Sequence, residues 1–267
     1  MLADKATPVL TTLEMFDVGS GSTANGKIDR VVATFSENLD TPYSAGNTPL
    51  TLANVPSSGA LNTVTNVSGT TARLNITEGA GAADTAVGSF TVALATNASG
   101  IRDNAGNLSS FAMQAPADKA GPVPVSITDT DGATNGLIDS GDSLIVTFSE
   151  PIASAVGLVT IITEADPTGG GNDTLNITGL TNGARNTGSN AYVNNNNRTF
   201  QYTNSTLTKS NGDKTITATV SGACSGDCAD RGTNLVAANF DFAAALSLTD
   251  AAGNLATGSL IVSIRLF

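Results

Sequence analysis

Histidine is absent from this 267-residue chain, and so is tryptophan. Without histidine the chain lacks the commonest acid–base catalyst near neutral pH and the commonest transition-metal ligand. Aromatic residues make up only 4% of the chain, so its cores must be built from Val, Ile, Leu and scattered Phe. Bases are scarce: 12 Lys and Arg stand against 23 Asp and Glu, a net charge of −11. Nucleic acid and anionic membranes repel such a surface, and cations are its natural partners. No apolar run is long enough for a transmembrane helix. The opening "MLADKATP" lacks the basic start and apolar middle of a signal peptide, so a secreted form would have lost its leader.

Only two cysteines occur, Cys224 and Cys228 in "CSGDC". Two thiolates without histidine make a poor zinc site. A local disulfide, implying an oxidising compartment, is the favoured reading, and two unpaired thiols are the alternative.

What is abundant is Thr, Ser, Asn, Gly, Ala and Val, a composition that favours strands and turns. The 40% hydrophobic content suffices for packed cores, and the length suits two domains. The chain also repeats itself. "ADKATP" at Ala3 returns as "ADKAGP" at Ala117, and "NGKID" (25–29) as "NGLID" (135–139). "VVATFSE" (31–37) returns as "LIVTFSE" (144–150), and "RDNAGNLSS" (102–110) as "TDAAGNLAT" (249–257). Four matches in one order define two homologous units, 3–116 and 117–267. The second is longer by a polar insertion at about 164–235, read as loops or an added hairpin stapled by the cysteines, and suited to contacting a partner.

Each unit reads as short strands. In "SLIVTFSE", Leu144, Val146 and Phe148 share one face, with Ile145, Thr147 and Ser149 on the other. No useful amphipathic helix emerges, and the expected fold is all-β, two β-sandwiches in tandem. The motifs "NG-x-ID", "VTFSE" and the closing "D-x-AGN" resemble the bacterial Ig-like domains of surface-layer proteins and large adhesins. The resemblance spans both units, including the Asp-x-x-x-Pro segments at Asp4–Pro8 and Asp118–Pro122. It implies Ig-like domains with calcium at turns near the domain junction, where Asp103 and Asn107, or Asp250 and Asn254, would share the ion with the linker residue Asp118.

The acids concentrate in "DTDGATNGLIDSGD" (129–142). Asp129 and Asp131 lie two apart and would point the same way on an extended backbone, and Asn135, Asp139 and Asp142 add further oxygens. Glu150 shares the parity of the buried face, so its carboxylate must be paired, protonated or metal-bound. The spacing is not that of an EF-hand: Ala133 and Ser140 fall where ligands are needed. A solvated loop competes with calcium here, and a self-capped Asx turn competes with it at both "AGN" motifs. The first unit keeps Asp17, Asn25, Asp29 and Glu37 but has no match for Asp131 or Asp142, so its site is expected to be weaker or missing. Eight sequons occur, about as many as this composition generates by chance.

No nucleophile–base pairing, phosphate loop or paired-acid motif points to an enzyme. The expectation is an extracellular structural protein, a calcium-stabilised subunit of a surface layer, filament or adhesin stalk that forms a homo-oligomer or polymer. The alternative is a secreted module that binds a glycan or cell-surface receptor through the insertion. In "SLIVSIRLF" an ordinary last strand is expected. Pairing of Ile264, Leu266 and Phe267 with a neighbouring subunit's edge is the competing idea.

Overall fold

The computed structural model describes residues 3–18, 24–40, 43–167 and 170–267, with the side chains of 66–68 left aside. The middle of the Asp17 loop (19–23), two residues of the polar run after Pro167 (168–169) and the side chain of the sequon residue Asn66 thus lie outside the described residues. Those described are all-β, with two 3-10 turns at Pro56–Ser58 and Cys228–Asp230 and no α-helix. The chain divides into two compact units, Met1–Ala120 and Gly121–Phe267.

In the first unit the strands are β1 (Leu10–Phe16), β2 (Arg30–Phe35), β3 (Leu50–Ala53), β4 (Ala60–Ser68), β5 (Thr71–Thr77), β6 (Thr91–Leu94), β7 (Phe111–Gln114) and β8 (Ala117–Asp118). They form one sheet ordered β4-β5-β2-β1-β8 and another ordered β3-β6-β7. The period-two pattern is what buries them: Val31, Ala33 and Phe35 of β2 point inward while Arg30, Val32 and Thr34 are only half-buried. Both sheets feed one core, in which Met15, Phe35 and Leu74 join Leu50, Val92 and Leu94. This is compatible with a two-layer sandwich. The second repeat opens at Ala117, yet Ala117 and Asp118 pair in parallel with Glu14 and Met15 of β1. The compact units therefore divide slightly later than the sequence repeats.

In the second unit the strands are β9 (Pro124–Thr130), β10 (Ser143–Phe148), β11 (Leu158–Glu164), β12 (Thr174–Ile177), β13 (Arg185–Asn186), β14 (Thr199–Ser210), β15 (Thr215–Thr219), β16 (Ser225–Gly226), β17 (Ala238–Ala243) and β18 (Ser259–Ile264). The large sheet runs β13-β12-β11-β14-β15-β10-β9, with β16 beside β14, and β17 pairs with β18. Its run β14-β15-β10-β9 repeats the neighbour order β4-β5-β2-β1 of the first unit. The match extends to single bonds. Phe35 donates its N–H to the carbonyl of Thr70 at 2.7 Å, and Phe148 donates to that of Lys214 at 2.8 Å. Of the segment 164–235, β14 and β15 thus belong to the shared plan. The added parts are β12, β13 and the loops around Cys224 and Cys228, which are joined by a disulfide.

The idea that the last residues pair with a neighbouring subunit is corrected. Leu266 and Phe267 are fully buried in the core of their own unit, and Ile264 packs against that core. They are apolar, and the nearest apolar surface is the core of their own unit, so burial there removes them from water.

Candidate metal centre

The shared strand sets the first carboxylate. Strands β2 and β10 end at Phe35 and Phe148, and two residues later the same parity turns a glutamate towards the interior. Glu150 is 3% exposed and Glu37 is half-buried. The inward direction inferred from alternation is what the structure has.

The "D-x-AGN" turns set the second. Asp103 is buried, and its two carboxylate oxygens accept the backbone N–H and the side-chain amide of Asn107, both at 2.7 Å. Asp250 receives the same pair of bonds from Asn254, at 2.8 and 2.7 Å. Gly106 and Gly253 both have φ +87°, the left-handed backbone that closes each turn and that glycine adopts without strain. The turns are therefore self-capped. Both oxygens of each aspartate are thus engaged within its own turn, and a cation there would share their lone pairs with those N–H groups.

In the first unit a third acid joins. Asp4 accepts the Ala6 N–H at 3.0 Å, and Ser109 holds the same segment by donating to the Pro8 carbonyl at 2.7 Å. One oxygen each from Asp4, Glu37 and Asp103 lies within 4.8 Å of the others. They open on a pocket that Asn38, Asn104 and Ala105 also line. Burial acts to raise the Asp103 pKa, but the bonds from Asn107, Ala105 and Gly106 outweigh it and hold the carboxyl below its ordinary value. Glu37 moves the other way: burial raises it, and the charges of Asp103 and Asp4 add to the rise. Among the described residues no lysine or arginine pairs with any of the three.

All donors are hard oxygens, with no nitrogen or sulfur. Such donors suit a hard cation and differ from the nitrogen and sulfur sets of structural zinc sites. Three carboxylates, mono- or bidentate, with the neighbouring asparagines and water can supply the six to eight oxygens that calcium takes.

The second unit brings Glu150 and Asp250 within the same 4.8 Å. Here a base stands close by: Lys214 donates its ammonium to the carbonyl of Ser149, next to Glu150, at 2.9 Å. Lys214 is distant from Glu150 in sequence and is brought beside it by the pairing of β15 with β10. Its structural counterpart in the first unit is Thr70. Asp118 lies on β8 and accepts the Ala120 N–H at 3.0 Å, as Asp4 accepts that of Ala6. Asp4 itself was not among the expected ligands, although the repeated "ADKA" flagged it as the equivalent of Asp118.

The acids of the 129–142 loop are engaged within their own unit. Asp129 accepts the Phe267 N–H at 2.7 Å, and Asp131 pairs with Arg265 at 2.5 Å. Asp142 accepts the N–H groups of Gly132 at 2.5 Å and Asp139 at 2.6 Å, while Asp139 accepts that of Ala133 at 3.2 Å. Asn135 is exposed. Burial, reinforced by the charges of Asp139 and Asp131, pushes the Asp142 carboxyl up to about 6 despite its two N–H bonds. In the first unit Asp17 caps the N–H groups of Asn25 and Gly26, at 3.0 and 2.6 Å. Asp29 caps Val18 at 3.0 Å, and the Asn25 amide donates to Glu78 at 3.0 Å. These loops use their oxygens to close turns and to hold the chain's last residues, and the carboxylates that converge are Asp4, Glu37 and Asp103 in the first unit and Glu150 and Asp250 in the second.

No helix among the described residues is long and apolar enough to cross a membrane. No protein-family model matches the chain, and no curated protein or solved structure matches it either.

Proposed function

We propose that the chain is a structural, non-catalytic extracellular protein: two tandem Ig-like β-sandwiches that calcium stabilises as the self-assembling subunit of a surface layer, filament or adhesin stalk. The observation that carries this reading is the gathering of Asp4, Glu37 and Asp103 without a counter-cation among the described residues. A chain of net charge −11 repels its own copies, and each bound divalent ion reduces that repulsion. Ion binding also favours the folded state by mass action, by about 2.7 kcal/mol at a hundred times Kd. The disulfide between Cys224 and Cys228 suits an oxidising, extracellular setting. By this reading the first unit holds the stronger site, because Thr70 stands where the second unit has Lys214.

The test is a thermal melt and electron microscopy of the full chain in calcium, magnesium and chelator. A calcium-specific rise in Tm with ordered polymers is expected. A Tm indifferent to calcium sinks the metal reading, and a raised Tm with monomers throughout sinks the assembly reading. A glycan-binding role has one observation in its favour. The inserted segment of the second unit holds a polar pocket lined by Asp166, Asp173, Asn190, Asn194 and Asn196. Saturable binding of the monomer to immobilised glycans would favour it.

A further inference from the structure

Arginine is the residue most readily satisfied in an acidic protein, and five of the seven arginines here have acceptors. Arg102 pairs with Asp40, Arg185 with Asp241, Arg198 with Asp227 and Asp230, and Arg265 with Asp131. Arg231 donates to the Cys228 carbonyl and the Tyr202 hydroxyl, at 3.0 and 2.9 Å. The remaining two, Arg30 and Arg73, have no hydrogen-bond or ion-pair partner among the described residues, and the Nε of each is buried without an acceptor. Both line the same pocket.

Register explains why they meet. Arg30 of β2 lies opposite Asn75, and Arg73 of β5 lies opposite Val32, so the two are diagonal neighbours on the outward face of the main sheet. Such neighbours stand about 7–8 Å apart, within reach for side chains as long as arginine. Asp29 and Glu78 share the pocket but are occupied elsewhere. Asp29 accepts the Val18 N–H at 3.0 Å, and both oxygens of Glu78 accept the Asn25 amide at 3.0 Å. Neither carboxylate comes within 4.0 Å of a guanidinium nitrogen.

We infer that this pocket binds an oxyanionic group, held by the forked guanidiniums of Arg30 and Arg73 together. A buried N–H without an acceptor is costly, and a ligand oxygen removes that cost. Guanidinium presents parallel N–H donors that match the oxygens of sulfate, phosphate or carboxylate. The rim acids set the selectivity. Asp29 and Glu78 equal the two arginines in number, so net charge alone does not draw in an anion; the forked donors must do so, and they favour compact groups with several oxygens. Chloride, with no oxygens to fit the forks, is a poor ligand. This inference does not depend on the calcium reading, because it concerns other residues and can be tested in chelator.

The experiment is calorimetric titration of the full chain, in chelator, with sodium sulfate, sodium phosphate and sodium acetate. Sodium chloride at matched ionic strength is the control. Saturable binding of the polyoxygen anions is expected, with acetate separating a carboxylate site from a sulfate or phosphate site. Arg30→Gln and Arg73→Gln should each weaken binding by on the order of tenfold or more. Arg30→Lys and Arg73→Lys keep the charge without the fork and should lie between. Tm measured for every variant shows whether it is folded. Equal heats with chloride, or undiminished binding by folded Gln and Lys variants, overturn the inference.

Discussion

The backbone N–H of Phe267 donates to Oδ2 of Asp129 across 2.7 Å. Two residues along on each side, Arg265 pairs with Asp131. The dense acids of the 129–142 loop thus grip the chain's last residues, whose side chains at Leu266 and Phe267 are fully buried. Apolar burial and the ion pair contribute very unequally to that grip. Phe267→Ala should cost about 3–5 kcal/mol, the usual range for truncating a buried phenylalanine. Asp131→Ala should cost less than about 1 kcal/mol, because its partner is partly exposed. Urea denaturation of both variants at pH 7 checks the contrast, and equal losses would show that the tail is held by charge.

Acid should stabilise the metal-free protein over part of the pH range. Asp142 holds its proton up to about pH 6 in the folded chain, chiefly because burial disfavours its charge. Asp17, Glu37, Asp129 and Asp173 are raised as well, each with burial as the largest cause. A carboxyl whose folded pKa exceeds its unfolded value binds its proton more tightly when folded. Its stabilising contribution is fully present below the unfolded value, near 4, and is lost as pH rises through the folded value. In chelator, Tm should therefore increase as pH falls from 7 towards 5. Asp142→Asn, neutral at every pH, should flatten that slope. A monotonic loss of stability on acidification of the wild type would contradict the assignment.

The disulfide of Cys224 and Cys228 closes a very short loop, with a sequence separation of 4. The chain-entropy gain grows with loop length, so its share is at the low end, about 2 kcal/mol. The Cys224→Ser/Cys228→Ser variant should lose no more than that and keep its strands. Urea midpoints and far-UV spectra measure both. Global unfolding would mean that the added loops are a keystone of the second core.

Much of this architecture is legible because a strand repeats every two residues. The alternation of Leu144, Val146 and Phe148 announces the buried face, and it carries Glu150 inward with it. The self-comparison likewise reveals the shared plan, down to the bonds from Phe35 and Phe148. Which carboxylates meet was not legible. Asp4, Glu37 and Asp103 are far apart in sequence and converge only when the first segment lies against the closing turn. Asp129 and Asp142 are close in sequence, but their oxygens face N–H groups that no spacing rule reveals. Arg30 and Arg73 become neighbours only through the register of β2 against β5.

Thr70 and Lys214 allow the metal reading to be tested by exchange. Each gives its carbonyl to the phenylalanine that ends the shared strand, but only Lys214 extends an ammonium to the residue before the glutamate. Thr70→Lys should bring a cation to Ser36 and Glu37. It should raise Tm in chelator by relieving the repulsion among Asp4, Glu37 and Asp103, and abolish the calcium-dependent gain at that site. Glu37→Gln should act in the same two directions without adding a base. Lys214→Thr should do the reverse in the second unit, lowering Tm in chelator and enlarging the response to calcium. Calcium titration followed by scanning calorimetry separates these outcomes. If Thr70→Lys leaves the calcium response intact, the ion is held somewhere other than at Asp4, Glu37 and Asp103.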